Sequence, residues 1–114
     1  MTHAEAFYLP GLEGLASGKI IISPKYGGQL DFLSDQNSLL VTGKKIRAPA
    51  EALYWSDTIY SEMFNPDIND AVDKLRFAYE NKDFCLKSFS EASKEILPNF
   101  TWQKITNDII GISK

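Results

Sequence analysis

The residues best suited to chemistry lie in one stretch, Glu5-Ala6-Phe7-Tyr8-Leu9-Pro10-Gly11-Leu12-Glu13-Gly14-Leu15-Ala16-Ser17-Gly18-Lys19. Two glutamates stand eight positions apart in it, with Pro10 between them. Proline suits the first turn of a helix, where its missing N–H costs nothing. Leu12, Leu15 and Ala16 follow at helical spacing, and Gly18 is placed to stop the helix. Glu5 would then precede the helix and Glu13 would lie in its first turn. Both carboxylates would flank an N-terminus where free N–H groups and the positive end of the dipole favour an anion such as a diphosphate. A carboxylate only accepts hydrogen bonds, so it matches sugar hydroxyls. Gly11 and Gly14 would let a ligand or another backbone approach closely. The picture is a phosphorylated sugar, phosphates on the helix end and hydroxyls on the glutamates. Taken alone, each glutamate is more simply a solvated side chain stabilised by the dipole.

The elements that must position these groups follow directly. Lys19-Ile20-Ile21-Ile22-Ser23 is short, β-branched and apolar without alternation, the pattern of a strand covered on both faces. Pro24 to Gly28 reads as a turn, Gln29 to Leu33 as a short helical turn, and Ser38 to Val41 as a second buried strand. This helix–strand–helix–strand rhythm predicts a small parallel sheet in an α/β, Rossmann-like arrangement. Residues 42–66 look irregular, punctuated by Gly43, Pro49 and Pro66, with Lys44, Lys45 and Arg47 as a solvated basic cluster. Within them, Ala52, Trp55, Ile59 and Met63 fit a helical face, while Leu53-Tyr54-Trp55 fits an extended piece equally well. Residues 67–114 read as helical. Asp67 caps a helix carrying Ile68, Ala71, Val72, Leu75, Ala78 and Tyr79 on one stripe. A second helix spans about 83–97 and ends at Pro98. Thr101 caps a third that sets Trp102, Ile105, Ile109 and Ile112 on one face. The expected organisation is a single partial domain: 1–41 donor-site α/β segment, 42–66 connection, 67–114 C-terminal helices.

Composition narrows the function classes. The 114 residues carry twelve basic and fifteen acidic side chains, a net charge of −3. No basic surplus exists to neutralise nucleic-acid phosphates. One cysteine, Cys85, and one histidine, His3, exclude an internal disulfide and a cysteine- or histidine-rich metal site. Cys85 falls on an apolar helical face, as an inert buried thiol would. No stretch approaches the ~20 apolar residues of a membrane span, and the first residues lack the pattern of a signal peptide. The expected location is the cytoplasm, with any membrane contact made through a partner.

The same residues resemble the signature of retaining glycosyltransferases of family 4 (group 1), which have the two-domain GT-B fold. In that family two glutamates eight apart flank a Gly-Phe-Gly-Leu-Pro-like stretch. A small-residue helix, a buried strand and a Gly-Gly turn follow. The matching parts here are Glu5, Phe7, Leu9-Pro10, Glu13, Ala16-Ser17-Gly18, Ile20-Ile21-Ile22 and Gly27-Gly28. Asn37 to Val41 resembles the family's next strand. Asn65-Pro66-Asp67 and Phe100-Thr101-Trp102 resemble its C-terminal landmarks, so the likeness runs from Glu5 to Ile112. The chain departs from the pattern at Ala6 and Tyr8, where the family carries glycine.

The resemblance implies a fold, the C-terminal portion of GT-B, and a set of roles. Glu5 would contact the transferred sugar as the catalytic-site residue. The backbone of Phe7, Tyr8 and Leu9 would meet sugar hydroxyls and the diphosphate, and Glu13 would hold the ribose. The donor would be a nucleoside-diphosphate sugar, with no metal and no other cofactor, and transfer would retain configuration. An enzyme of that type is roughly three times longer, with its active site between two domains. The chain is therefore expected to be a donor-binding portion, inactive alone. Its partners would be the nucleotide-sugar and either a polypeptide supplying the missing half or a second copy pairing on an open strand edge. The rival readings are a non-catalytic nucleotide-sugar-binding or assembly module, and a plain α/β interaction domain.

Overall fold

The computed structural model describes residues 6–48 and 62–112. The chain begins with helix α1 (Leu9–Ala16), then strand β1 (Ile22–Pro24), a 3₁₀ turn (Gly28–Asp31) and strand β2 (Leu39–Val41). β1 and β2 pair in parallel, with Ile22 opposite Leu39 and Pro24 opposite Val41. The expected rhythm is present, with β1 starting three residues and β2 one residue later than the expected segments Lys19–Ser23 and Ser38–Val41. Parallel pairing needs a crossover, and the loop with its 3₁₀ turn supplies it.

Side chains alternate across these strands. Ile21 and Leu40 join Leu12, Leu15, Phe32 and Leu33 in one apolar layer beneath α1. Ile20, Ile22 and Leu39 face the other way, against Cys85, Phe89 and Ala78. Covering on both faces explains why the sequence runs apolar without alternation. A helix pair provides the second cover: α2 (Ile68–Glu80) and α3 (Lys82–Ile96). A 3₁₀ turn (Leu97–Phe100) ends α3 at Pro98 and returns Leu97 and Phe100 to the first layer. Helix α4 (Trp102–Ile112) follows, with the Lys104 N–H donating to Thr101 Oγ1 at 3.2 Å as its cap.

The described ends of the 42–66 segment are strands rather than irregular chain. Strand β3 (Gly43–Arg47) pairs antiparallel with β4 (Glu62–Pro66), Lys45 facing Phe64. The basic trio Lys44, Lys45 and Arg47 therefore lies on a strand rather than a loop. Every residue of β3 is exposed, so no apolar alternation marks it in the sequence. The ribbon is fastened instead by buried Phe64, whose ring stacks on Tyr26 at 5.2 Å. Lys45 lies 5.8 Å from the Tyr26 ring centre and 3.5 Å from a Glu62 carboxylate oxygen. Met63 is on β4, not on a helical face. Ala52, Leu53, Tyr54, Trp55 and Ile59 lie outside the described residues.

The ribbon and the helical half are tied to β2 at Thr42. Its N–H and Oγ1 both donate to Asp70 Oδ2, at 2.7 and 2.9 Å. Its carbonyl accepts from the Asp67 N–H at 2.8 Å. Asp67 caps α2 by accepting from the Asn69 and Asp70 N–H groups. The Thr42 backbone donor, then the Thr42 hydroxyl, hold the Asp70 carboxyl below the usual aspartate range, and Lys74 adds to the effect. Cys85 is fully buried, and that burial pushes its thiol up, so it behaves as the inert packing residue expected. Among the described residues, no helix is long and apolar enough to cross a membrane.

A group whose folded pKa is lowered stabilises the fold above its unfolded pKa and loses that contribution as pH falls through the folded one. Asp70→Ala should therefore reduce unfolding free energy by about 1–2 kcal/mol at pH 7. The difference from the parent should begin to shrink below about pH 4, the unfolded aspartate value, and close only as pH passes the lowered folded value. Urea unfolding monitored by circular dichroism at pH 7 and pH 3 measures both.

Candidate functional site

The candidate site is the start of α1 and the segment leading into it. Tyr8 is the residue before the helix and takes the left-handed conformation, φ 67° and ψ 56°, the only non-glycine with positive φ among the described residues. That conformation is costly for a side chain with a Cβ and natural for glycine. The strain is offset by packing, since the half-buried Tyr8 ring lies against the first apolar layer. The same ring fills the open side of Gly11, and Ile21 Cδ1 would lie 2.8 Å from a Cβ at Gly14. Both glycines make room for the protein's own side chains, not for a ligand.

The Ala6–Phe7 backbone is seated directly on Gly28. A Cβ there would overlap the Ala6 carbonyl and come within 3.1 Å of Phe7 Cα. The Gly-Gly turn thus supports the segment that carries the candidate donor contacts. Phe7 adds a second anchor. Its ring sits 5.3 Å from Phe32 and 6.0 Å from Phe100, and those two rings are 5.8 Å apart. Phe7 is a packing aromatic at the edge of the core, 36% exposed.

The helix end offers fewer donors than its sequence suggests. Pro10 has no N–H, and the Gly11 and Leu12 N–H groups both reach the Tyr8 carbonyl, at 3.0 and 3.4 Å. Among the described residues, the Leu9 N–H is left without a hydrogen bond in the first turn. Glu13 lies one turn further along than expected, since the first turn holds no acidic residue. Its side chain is exposed and available as an acceptor. The structure therefore brings Phe7, Tyr8, Leu9 and Glu13 onto one end and flank of α1. Glu5 and His3 lie outside the described residues.

Gln29 gives no sequence signal beyond its place after Gly27-Gly28, yet it is 1% exposed beside this site. Its Nε2 donates to the Pro24 carbonyl at 3.1 Å and to Ser23 Oγ at 3.4 Å. Its Oε1 is buried without a partner. Leaving such an acceptor unpaired costs about 1–3 kcal/mol. The bond to Pro24 also closes the outer edge of β1 there, because proline has no N–H to offer a further strand. Only the part of that edge around Ile22 resembles the open strand expected.

No group of three or more His, Cys, Asp or Glu side chains among the described residues is placed to hold a metal. Two clefts of about 520–530 Å³ lie elsewhere, one between α2 and α3 and one beside the start of α2. Neither is lined by Phe7, Tyr8, Leu9 or Glu13. No protein-family model matches the chain, and no curated protein matches it.

Gly28→Ala should push the Ala6–Phe7 backbone off its seat and lower stability by about 1–3 kcal/mol. Gly111→Ala, where a Cβ meets open space, should lose nothing. Parallel urea titrations of the two variants distinguish a local clash from a general intolerance of added methyls.

Proposed function

We infer that the chain binds a nucleoside-diphosphate sugar at the start of α1, as the donor-binding portion of a retaining glycosyltransferase. One observation carries this reading. The residue before α1 adopts a glycine-type backbone at the position where the resembled family has glycine, on a segment seated against the Gly-Gly turn that the same resemblance singles out. In this reading the Leu9 N–H and the dipole of α1 face the diphosphate, and Glu13 accepts from the ribose hydroxyls. Glu5, matched to the sugar-contacting acid, would complete the set. A preorganised N–H donor stabilises charge on the departing diphosphate without rearranging during the step. Front-face attack assisted by that leaving phosphate is the route that the resemblance implies for retention. The acceptor would be held by a wall opposite α1, provided by a partner polypeptide.

The resemblance covers only the donor-binding part of such an enzyme, which leaves a second reading, a nucleotide-sugar-binding module that performs no transfer. Titration calorimetry with UDP-, GDP- and ADP-sugars tests the feature that both share. One of these donors should bind, and Glu13→Ala should weaken that binding about tenfold, some 1.4 kcal/mol. Absence of binding across the panel removes both readings and leaves an α/β interaction domain. Product formation when acceptor-binding chains are added separates the first reading from the second.

A further inference from the structure

The cleft between α2 and α3 has a volume of about 530 Å³ and shares no residue with the α1 site. Its base is apolar, with Leu39 and Phe89 both buried. Phe77 and Phe84 line it as well and are 42% and 61% exposed. The charged part of the lining is lopsided. Asp35, Asp70 and Asp73 stand against one cation, Lys74. Asp70, Asp73, Lys74 and Phe77 follow one another at helical spacing, so a single face of α2 brings both the charge and aromatic surface.

We propose that this cleft binds a small organic cation, an ammonium group carried on an aromatic or branched apolar body. The volume is that of a small-molecule site, within ~300–1,000 Å³, and such sites combine apolar walls with a few placed polar groups. The apolar body would lie against Leu39, Phe77, Phe84 and Phe89, and the ammonium would be drawn to the aspartates. Asp70 is the one that the fold holds in place. Both Thr42 donors end on its Oδ2, at 2.7 and 2.9 Å, and its Oδ1 accepts from none of the described residues. The same two bonds keep the carboxyl ionised at neutral pH. A cation would therefore meet a carboxylate that is already charged and oriented, the stronger kind of hydrogen-bond acceptor. Lys25 and Arg76 lie outside the lining. They approach Asp35 and Asp73 at 2.7 and 3.9 Å, but all four side chains are at least 47% exposed, and exposed pairs hold their charges weakly. Phenyl rings add to the attraction, since an aromatic face draws a cation that comes within ~6 Å of its centre. The same lining repels an anion, the class of ligand inferred for α1, so the two sites do not compete. The proposal stands whether or not α1 binds its donor.

Titration of the full chain with phenethylammonium, followed by amide chemical shifts, should saturate with a Kd on the order of 1 mM or below. The shifting amides should lie between Asp70 and Phe77 and between Phe84 and Phe89. Neutral phenethyl alcohol should bind about fivefold more weakly, and anionic phenylpropanoate should not bind. Raising salt from about 0.05 to 0.5 M should weaken the ammonium several-fold. Asp73→Lys and Phe84→Ser change exposed positions, and each should weaken binding about fivefold or more while the circular dichroism stays that of the parent. Lys74→Gln should tighten it about twofold. The proposal is overturned by the lack of a saturable shift up to about 20 mM, by an alcohol that binds as tightly as the ammonium, by shifts centred elsewhere in the chain, or by binding indifferent to Asp73→Lys. Shifts at the same amides that follow protein concentration alone also overturn it, because a second copy would then be filling the cleft.

Discussion

The parallel pairing of Ile22–Pro24 with Leu39–Val41 separates two apolar layers, and every other element takes its place from that separation. Strands this short contribute few backbone hydrogen bonds. Their value is geometric: alternate side chains are sent to opposite faces, so α1 and the α2–α3 pair each find a floor to pack on. The return of Leu97 and Phe100 to the α1 layer, by way of the turn at Pro98, closes the structure around the same two strands. Thr42, one residue past β2, then carries the capped start of α2 on three hydrogen bonds.

The candidate site inherits its shape from this core. Tyr8 can hold a left-handed backbone because its ring is packed under α1. Ala6 and Phe7 are fixed because Gly28 allows their backbone to lie against the turn and because Phe32 and Phe100 hold the Phe7 ring. Side chains that could be mistaken for ligand platforms thus serve as anchors. What they present outward is backbone and the Glu13 carboxylate. The apolar stripes on α2 and α4 are left largely exposed. Among the described residues, fifteen large apolar side chains are exposed, against twelve buried hydrophobic ones.

Several parts of the fold were readable in the residues because their causes are local. Asp67 and Thr101 accept from N–H groups two or three positions away, and Pro98 and Gly18 stop helices through their own backbone limits. The run Ile20-Ile21-Ile22 announces burial on two faces whatever lies beyond it. The β3–β4 ribbon was not readable, because Lys44, Lys45 and Arg47 are exposed and the strand exists only through register with a distant segment. Gln29 was missed for a related reason. A polar residue buried by a fold looks like any other polar residue in a sequence.

For the site, the order of residues by itself determined that a helix starts beside Pro10 and stops at a glycine, because both follow from backbone preference; it placed Glu13 in the first turn, whereas the structure sets it a turn further along. Only the tertiary structure decided how many donors that end offers, because the Tyr8 carbonyl takes the Gly11 and Leu12 N–H groups and the ring of Tyr8 fills the space beside Gly11. It also decided which apolar faces remain uncovered. Helical periodicity fixes that Trp102, Ile105, Ile109 and Ile112 line up, but whether anything in the chain reaches them depends on where the turn at Pro98 points α4.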